Sequence, residues 1–499
     1  MAKIESFQDL VLKPSGNKQE LWRWVYAELR TAILDGRLRA GSRIPSSRSL
    51  SLQHGIARGT VVAALNQLKA EGYVVSESGS GTRVALGVPN RPSPTTKQYA
   101  ALAAPSRASL SKRTRQALVG AYRLSNGPTI GKAFRSYEPA IDLFPVELWA
   151  RVSARVLRHA PHALYGQGSP GGYIPLRKAI AEYVGASRGV RCSPEQVIVT
   201  SGAQQGLDLV ARFLLDPGDE VWMEDPGYPG ALQAFRAADA VPVPVPIDGD
   251  GLCVHEGVQL SPRARMAYVT PANQFPLSVT MSASRRVELL NWAAKAGAWI
   301  VEDEYDAEYR YRGRPVAALQ SLDHAGCVVY VGTFTKMLFN AIRLGFLVVP
   351  ERLIEPFERG RSYVDRHTPT LNQAILAEFI SEGHFGHHVR RMRQTYAERM
   401  EVLMLASKEH LNGLLNVTEA VAGMRSIAWL VGRGSDMDAA RRAARLGLEV
   451  TALSAFSVQH RQKPALILGF AGSNEEEIRR GVRVLASALT GPFQKVRIK

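Results

Sequence analysis

Val328-Val329-Tyr330-Val331-Gly332-Thr333-Phe334-Thr335-Lys336 is the stretch that decides the fold of this chain. Its first four residues are apolar and lack the polar alternation of a half-exposed strand, so the run reads as a strand buried on both faces. Four other runs share that character: Val197-Ile198-Val199, Val221-Trp222-Met223, Met266-Ala267-Tyr268-Val269 and Trp299-Ile300-Val301. Longer stretches with helical spacing lie between them. This alternation predicts an α/β domain with a mainly parallel sheet covered by helices, with its large part over 136–349 and a smaller C-terminal lobe over 350–499.

In a sheet of this kind ligands sit where the strands end at their carboxyl side. After Val199 comes Thr200-Ser201-Gly202-Ala203-Gln204-Gln205, opening a helix whose free N–H groups and positive dipole end suit a phosphate. After Val301 comes Glu302-Asp303-Glu304-Tyr305-Asp306, and seven residues past Lys336 lies Arg343. A lysine among hydroxyl residues, an arginine and a phosphate-cradling helix end is what a phosphorylated aldehyde cofactor needs. Lys336 would form a Schiff base, Thr333, Thr335 and Arg343 would hold the phosphate, and Asp303 would keep a pyridine nitrogen protonated. Taken singly, each feature has an ordinary reading: a lone lysine after a strand is usually solvated, and Tyr228 and Tyr305 could be packing residues.

The remaining 135 residues at the N-terminal side carry the charge. The chain of 499 residues is 45% apolar and 21% charged, which excludes a wholly disordered or collagen-like polymer. Its net charge of +17 is uneven: residues 1–85 hold 12 Lys/Arg against 7 Asp/Glu, residues 86–135 hold 9 against none, and the rest hold 41 against 38. A basic end on a nearly neutral body suggests a module that binds a polyanion. No run approaches a membrane span and Met1 to Leu12 lacks an export pattern, so a cytoplasmic location is expected. Cys192, Cys253 and Cys327 have neither disulfide nor zinc spacing and are expected to be buried, inert thiols; no metal is expected.

Within residues 1–85, Leu21, Val25, Leu29 and Ile33 recur at helical spacing before Gly36, Ser46 caps a second helix carrying Leu50, and a turn at His54-Gly55 leads to a third helix from about Thr60. Two short strands around Glu77-Ser78-Gly79-Ser80-Gly81 complete a winged helix-turn-helix. On such a module Arg58 and Thr60 would enter the major groove of double-stranded DNA, while Arg43, Arg48, Ser80 and Gly81 would meet backbone or minor groove. Residues 86–135, with five prolines among Ser, Thr, Ala and Arg, read as a basic linker.

At this point the chain resembles the MocR-type branch of the GntR-family bacterial transcriptional regulators, from about residue 18 to the C-terminus. The residues that carry the resemblance are Gly41 to Arg48, Leu68-Lys69-Ala70-Glu71-Gly72-Tyr73, Gly79-Ser80-Gly81-Thr82, Thr200 to Gln205, Glu224 to Gly230, Glu302 to Tyr305, and Gly332 to Lys336 with Arg343. The resemblance implies a winged helix-turn-helix joined to a fold-type I aminotransferase-like domain that binds pyridoxal phosphate. It implies that Lys336 bonds the cofactor aldehyde, Asp303 pairs with the ring nitrogen, Tyr305 meets the ring hydroxyl and Tyr228 stacks on the ring. Ala203, Gln204, Thr333, Thr335 and Arg343 would surround the phosphate, and Tyr165 would reach it from the partner subunit of a homodimer.

Two departures from the family pattern bear on function. Asn273-Gln274-Phe275-Pro276-Leu277-Ser278 replaces the usual His-Gln-Phe-Pro-Thr-Gly, placing Asn273 beside the ring. The position of the aminotransferases' carboxylate-binding arginine is matched by Ile467, with Arg425 or Arg461 as the alternatives. The expected function is therefore a DNA-binding regulator that senses an amino compound, or pyridoxal phosphate itself, without turning it over. An active aminotransferase with an accessory DNA-binding end is the alternative, since Lys336, Asp303 and Tyr305 are what a transaminase needs.

Overall fold

The computed structural model describes residues 21–77, 81–87, 109–111, 113–115, 133–136, 138–313 and 316–490. The chain divides into two compact units, residues 1–109 and 110–499. Most of the basic linker, 88–108 and 116–132, and Ser80 of the wing lie outside the described residues.

The first unit is a winged helix-turn-helix. Helix α1, Leu21–Leu34, buries Val25, Leu29, Ala32 and Ile33, while Leu21 stays half-buried at its start. Helix α2, Ser47–His54, begins under Ser46, whose hydroxyl accepts from the Ser49 N–H at 3.1 Å, and ends at Gly55 in the left-handed region (φ 63°). Helix α3 runs Arg58–Ala70, two residues ahead of the start read from the sequence, so Arg58 stands on its first turn. Strands β1, Val74–Glu77, and β2, Gly81–Val84, pair antiparallel with Val74 opposite Val84. The incoming chain adds to that wing, since the Ile44 N–H bonds the Thr82 carbonyl and the Val84 N–H bonds that of Ser42. Val25, Leu29, Leu50, Val61, Leu68, Val74 and Val84 share the core.

The second unit is built on β3 (Val197–Thr200), β4 (Glu220–Asp225), β5 (Val241–Asp248), β6 (Gly251–Leu252), β7 (Met266–Val269), β8 (Trp299–Glu304), β9 (Val328–Thr333) and β10 (Gly345–Val348), in the order β3-β10-β9-β8-β7-β4-β5-β6. Strands β9, β8, β7, β4 and β5 pair parallel, and their carboxyl ends form one edge. The five apolar runs read from the sequence are β3, β4, β7, β8 and β9, all buried along their apolar residues.

Two strands escape a reading by local pattern. Strand β10 enters antiparallel between β3 and β9, a direction that side-chain periodicity does not encode. Strand β5 carries Pro242, Pro244 and Pro246, which argue against a strand. Because they alternate, their missing N–H groups all fall on one edge; along 241–246 no strand among the described residues lies beside that edge, while the other edge pairs with β4.

A smaller antiparallel sheet closes the C-terminal side: β11 (Leu415–Val417), β12 (Arg425–Leu430), β13 (Thr451–Ala452) and β14 (Ala465–Gly469), in the order β11-β12-β14-β13. Ile427 and Ile467 are directly opposite in it. The cysteine expectation is corrected in part: Cys327 is buried, but Cys192 and Cys253 are half-buried. Desolvation still raises the thiols, to about 11 for Cys192 and Cys253 and about 12 for Cys327, so none is thiolate near neutrality. Among the described residues no helix is long and apolar enough to cross a membrane, and no cluster of metal-binding side chains occurs.

Candidate functional site

The carboxyl ends of β8 and β9 bring Asp303 and Lys336 onto the same sheet edge. Loss of hydration pushes the Lys336 ammonium down to about 8, opposed by the Asp306 and Glu138 carboxylates and reinforced by Arg343 and Arg425. A lysine so placed is substantially neutral slightly above neutral pH, the form that attacks a carbonyl.

Asp303 is buried on β8, where burial raises its carboxyl to about 7 against the pull of a hydrogen bond. That bond comes from Tyr268 on the neighbouring strand β7, whose hydroxyl donates to Oδ2 at 2.7 Å. Its second oxygen, Oδ1, is buried with no protein partner. Such an acceptor fits a protonated ring nitrogen, which would supply both the missing donor and the missing charge. Asn273 shows the same pattern: its Nδ2 donates to Asp306 Oδ1 at 2.7 Å, while its own Oδ1 is buried and unpartnered. The Tyr305 hydroxyl donates to the Asn273 carbonyl at 2.8 Å, and Tyr228 lies edge-on to Phe275 with ring centroids 5.5 Å apart.

Beside these groups is an anion cradle. The helix Ala203–Leu214 starts after Gly202, whose φ of 96° favours glycine, and no side chain caps its first N–H groups by a hydrogen bond. Arg343 packs there: its Nη2 donates to the Ser201 carbonyl at 2.9 Å, and a Cβ on Gly202 would come within 3.3 Å of it. Thr333 and Thr335 are buried at the end of β9, linked by a bond from the Thr335 N–H to the Thr333 hydroxyl at 3.2 Å. Gln204 Nε2 donates to the Gly230 carbonyl at 2.9 Å, and the Tyr228 hydroxyl bonds Gln204 at 3.4 Å, so the cradle and the Tyr228 loop are joined. Helix end, hydroxyls, guanidinium, unpartnered carboxylate oxygen and lysine together fit a phosphorylated pyridine aldehyde.

Of the residues singled out from sequence, Tyr165 stands apart. It is 59% exposed and its hydroxyl bonds the carbonyl of Leu157. Arg461 is exposed, whereas Arg425 is fully buried beside Tyr305. Sequence reasoning missed Tyr268, which lay within an apolar run, and the Asp306–Arg425 ion pair at 3.4 Å, whose members come from different lobes. It also missed Glu224, buried with its carboxyl raised to about 7, which accepts from the Thr270 N–H and hydroxyl and from Gln274, fixing the loop that carries Asn273 and Phe275.

On the first unit, Arg43, Arg48, Arg58 and Gly81 are exposed and Thr60 is half-exposed. Arg58 Nε donates to the Ser47 hydroxyl at 3.3 Å, which joins the first turns of α2 and α3. The Arg43 guanidinium lies over Gly81, where an added Cβ would approach within 3.0 Å of it. Three cations thus sit at the helix starts and the wing, the parts of this motif that face DNA.

Comparison with known proteins agrees with the two modules. Residues 136–485 match the family model "Aminotransferase class I and II", and residues 22–84 match "Bacterial regulatory proteins, gntR family". The chain is 41% identical over 466 residues to the probable rhizopine catabolism regulatory protein MocR of Rhizobium meliloti, covering 93% of each. It is 34% identical to the HTH-type transcriptional regulator TauR of Rhodobacter capsulatus, covering 82% of this chain and 83% of that one. Among solved structures it resembles LysN, an alpha-aminoadipate aminotransferase of Thermus thermophilus complexed with N-(5'-phosphopyridoxyl)-L-leucine. That match has a TM-score of 0.66 and 29% identity, and covers 76% of this chain and 94% of that one.

Proposed function

This chain belongs to the MocR-type regulators, in which a GntR-family reader is joined to a domain of the aminotransferase class I and II family, and from that premise we propose how its residues act. The protein is a DNA-binding transcriptional regulator whose larger unit binds pyridoxal phosphate. We infer that Lys336 holds the cofactor and that an amino compound, or the cofactor itself, is the signal. When bound, the cofactor supplies an aldehyde carbon at which one amine exchanges for another.

The residues of the chain prepare that exchange. Lys336 offers a neutral amine because burial disfavours its charged form. Asp303, held by Tyr268 on Oδ2, would take the ring N–H on its unpartnered Oδ1. Asn273, through its unpartnered Oδ1, and Tyr305, through its hydroxyl, would meet the ring substituents, and Tyr228 would cover a ring face. The N–H groups of Ala203 and Gln204 would hold the phosphate with Thr333, Thr335 and Arg343.

Tyr165, exposed within its own chain, is assigned to the phosphate of the partner subunit in a homodimer, working in the cytoplasm where the DNA is. Arg58 and Thr60 read bases, and Arg43, Arg48, Ser80 and Gly81 meet the backbone or minor groove.

The observation that carries this reading is the unpartnered Asp303 Oδ1 on the sheet edge that carries Lys336, in a chain that also folds a reader. The test is Lys336→Ala in the full chain. Specific DNA binding should survive, borohydride should no longer fix a pyridoxyl group, and the effector response should be lost. A full response in that variant overturns the reading. Rapid multiple turnover of an amino donor and a keto acid by the native protein would instead favour the active aminotransferase.

A further inference from the structure

Strand β4 ends in two buried carboxylates, Glu224 and Asp225, which leave the strand on opposite faces. Glu224 stays within the large lobe, where it accepts from Thr270 and Gln274. Asp225 reaches the C-terminal lobe. Its Oδ1 accepts from the Val458 N–H at 2.8 Å, and its Oδ2 accepts from the Gln459 and His460 N–H groups at 2.7 Å each. Three charge-assisted bonds from successive amides thus converge on a carboxylate with no exposed surface.

The segment so held joins the turn Leu453–Phe456 to β14. Val458, Gln459 and Arg461 are exposed, so the segment is held chiefly through its backbone. Two further bonds run beside the carboxylate: the Gly227 N–H donates to the Phe456 carbonyl at 3.1 Å, and His460 Nε2 donates to the Pro244 carbonyl of β5 at 3.3 Å.

The turn that follows Asp225 carries Tyr228, and it has no slack. A Cβ on Gly227 would strike the Glu224 carbonyl, and one on Gly230 would strike the Tyr228 ring and Gln204. From the C-terminal lobe, Phe456 packs edge-on to Phe275 with centroids 5.1 Å apart, and Phe275 packs edge-on to Tyr228 at 5.5 Å. Tyr228 is therefore held from two sides, by a taut turn that begins at Asp225 and by an aromatic row whose far end Asp225 keeps in place.

We propose that Asp225 is a positioning residue for the cofactor ring: by clamping 458–460 to the end of β4 it fixes Tyr228, and it ties this part of the C-terminal lobe to the occupancy of the ring site. The proposal rests on the placement of Tyr228 over the ring given above. Linkage makes the tie reciprocal, so a clamp that tightens cofactor binding is itself tightened by the cofactor.

The test is a double-mutant cycle in the full chain, read as the dissociation constant of pyridoxal phosphate. Asp225→Asn keeps the size but replaces one accepting oxygen by a donor, leaving at least one buried amide unpaired. Asp225→Asn and Tyr228→Ala should each weaken binding about tenfold, and the double variant should be no weaker than Tyr228→Ala alone. The bound cofactor's visible circular dichroism, which senses the asymmetry around the ring, should shift in Asp225→Asn towards that of Tyr228→Ala. Multiplying effects in the double variant, or native affinity and dichroism in Asp225→Asn, overturn the proposal while Tyr228 keeps its place. Native affinity and dichroism in Tyr228→Ala overturn that placement and the proposal with it.

Hydrogen exchange of the native chain decides the matter should Asp225→Asn fail to fold. The amides of 458–460 should exchange several-fold more slowly once pyridoxal phosphate is bound, and equal rates with and without it overturn the proposal.

Discussion

The Tyr268 hydroxyl donates to Asp303 Oδ2 at 2.7 Å across the parallel strands β7 and β8, leaving Oδ1 as a buried acceptor aimed at nothing in the protein. Tyr268 thus positions Asp303 and favours its charged form, against the burial that raises it. Tyr268→Phe removes a hydrogen bond to a charged group, a change of about 1.5–3 kcal/mol, and should weaken cofactor retention by roughly ten- to a hundredfold. Dialysis followed by absorbance measures it; retention equal to the native protein would show that Tyr268 only packs.

The depressed Lys336 sets a pH dependence for cofactor loading. Its amine is neutral above its own value of about 8, whereas an ordinary lysine stays charged to about 10.5. Colour formation after adding pyridoxal phosphate to the cofactor-free protein should therefore accelerate as the pH rises through about 8 and then level off. Acceleration continuing towards the ordinary lysine value would mean that burial does not act on this amine.

Arg425→Met breaks the buried pair and leaves Asp306 without its counter-charge, a loss of about 3–5 kcal/mol in unfolding free energy. Burial already raises the Asp306 carboxyl and Arg425 lowers it, so the substitution raises it further. A carboxyl raised in the folded state contributes stability at low pH and loses it as pH rises through the folded value. The deficit should accordingly be largest at neutral and alkaline pH and shrink on acidification. Denaturant titrations at two pH values check both the size and the sign.

For the reader, Arg58→Ala should cost about 1–3 kcal/mol in specific DNA binding and relax base preference at one position. Its bond to Ser47 is exposed, so the fold should lose little. An unchanged binding profile would assign Arg58 to the surface.

Neutralising the basic residues of 86–135 should weaken binding to all DNA sequences alike and flatten its dependence on salt, because phosphate contacts release counterions whatever the base. An unaltered salt slope would mean that these charges are only solvated.

The sequence by itself determined the two modules and the locus of the chemistry. Helices such as Leu21–Leu34 and buried strands such as Val328–Thr333 leave periodic or unbroken apolar patterns, and the residues that end parallel strands share one edge by topology alone. That suffices to point at Lys336, Asp303 and Arg343 together, while the role of Tyr305 comes with the family resemblance. Tertiary structure decided what these groups can recognise. Arg425 lies 119 residues from Asp306, and nothing local announces that it is buried, clipped and neutralised; that follows from how β12 docks against the loop at Asn273–Pro276. Tyr268 reads as one more apolar strand residue until the β7–β8 register sets it beside Asp303. Strand β10 takes its antiparallel place, and β5 survives three prolines, because hydrogen-bond partners are chosen by neighbours in space. Side-chain periodicity records which face is buried, but a charge's partner and a strand's direction are fixed only once distant segments pack.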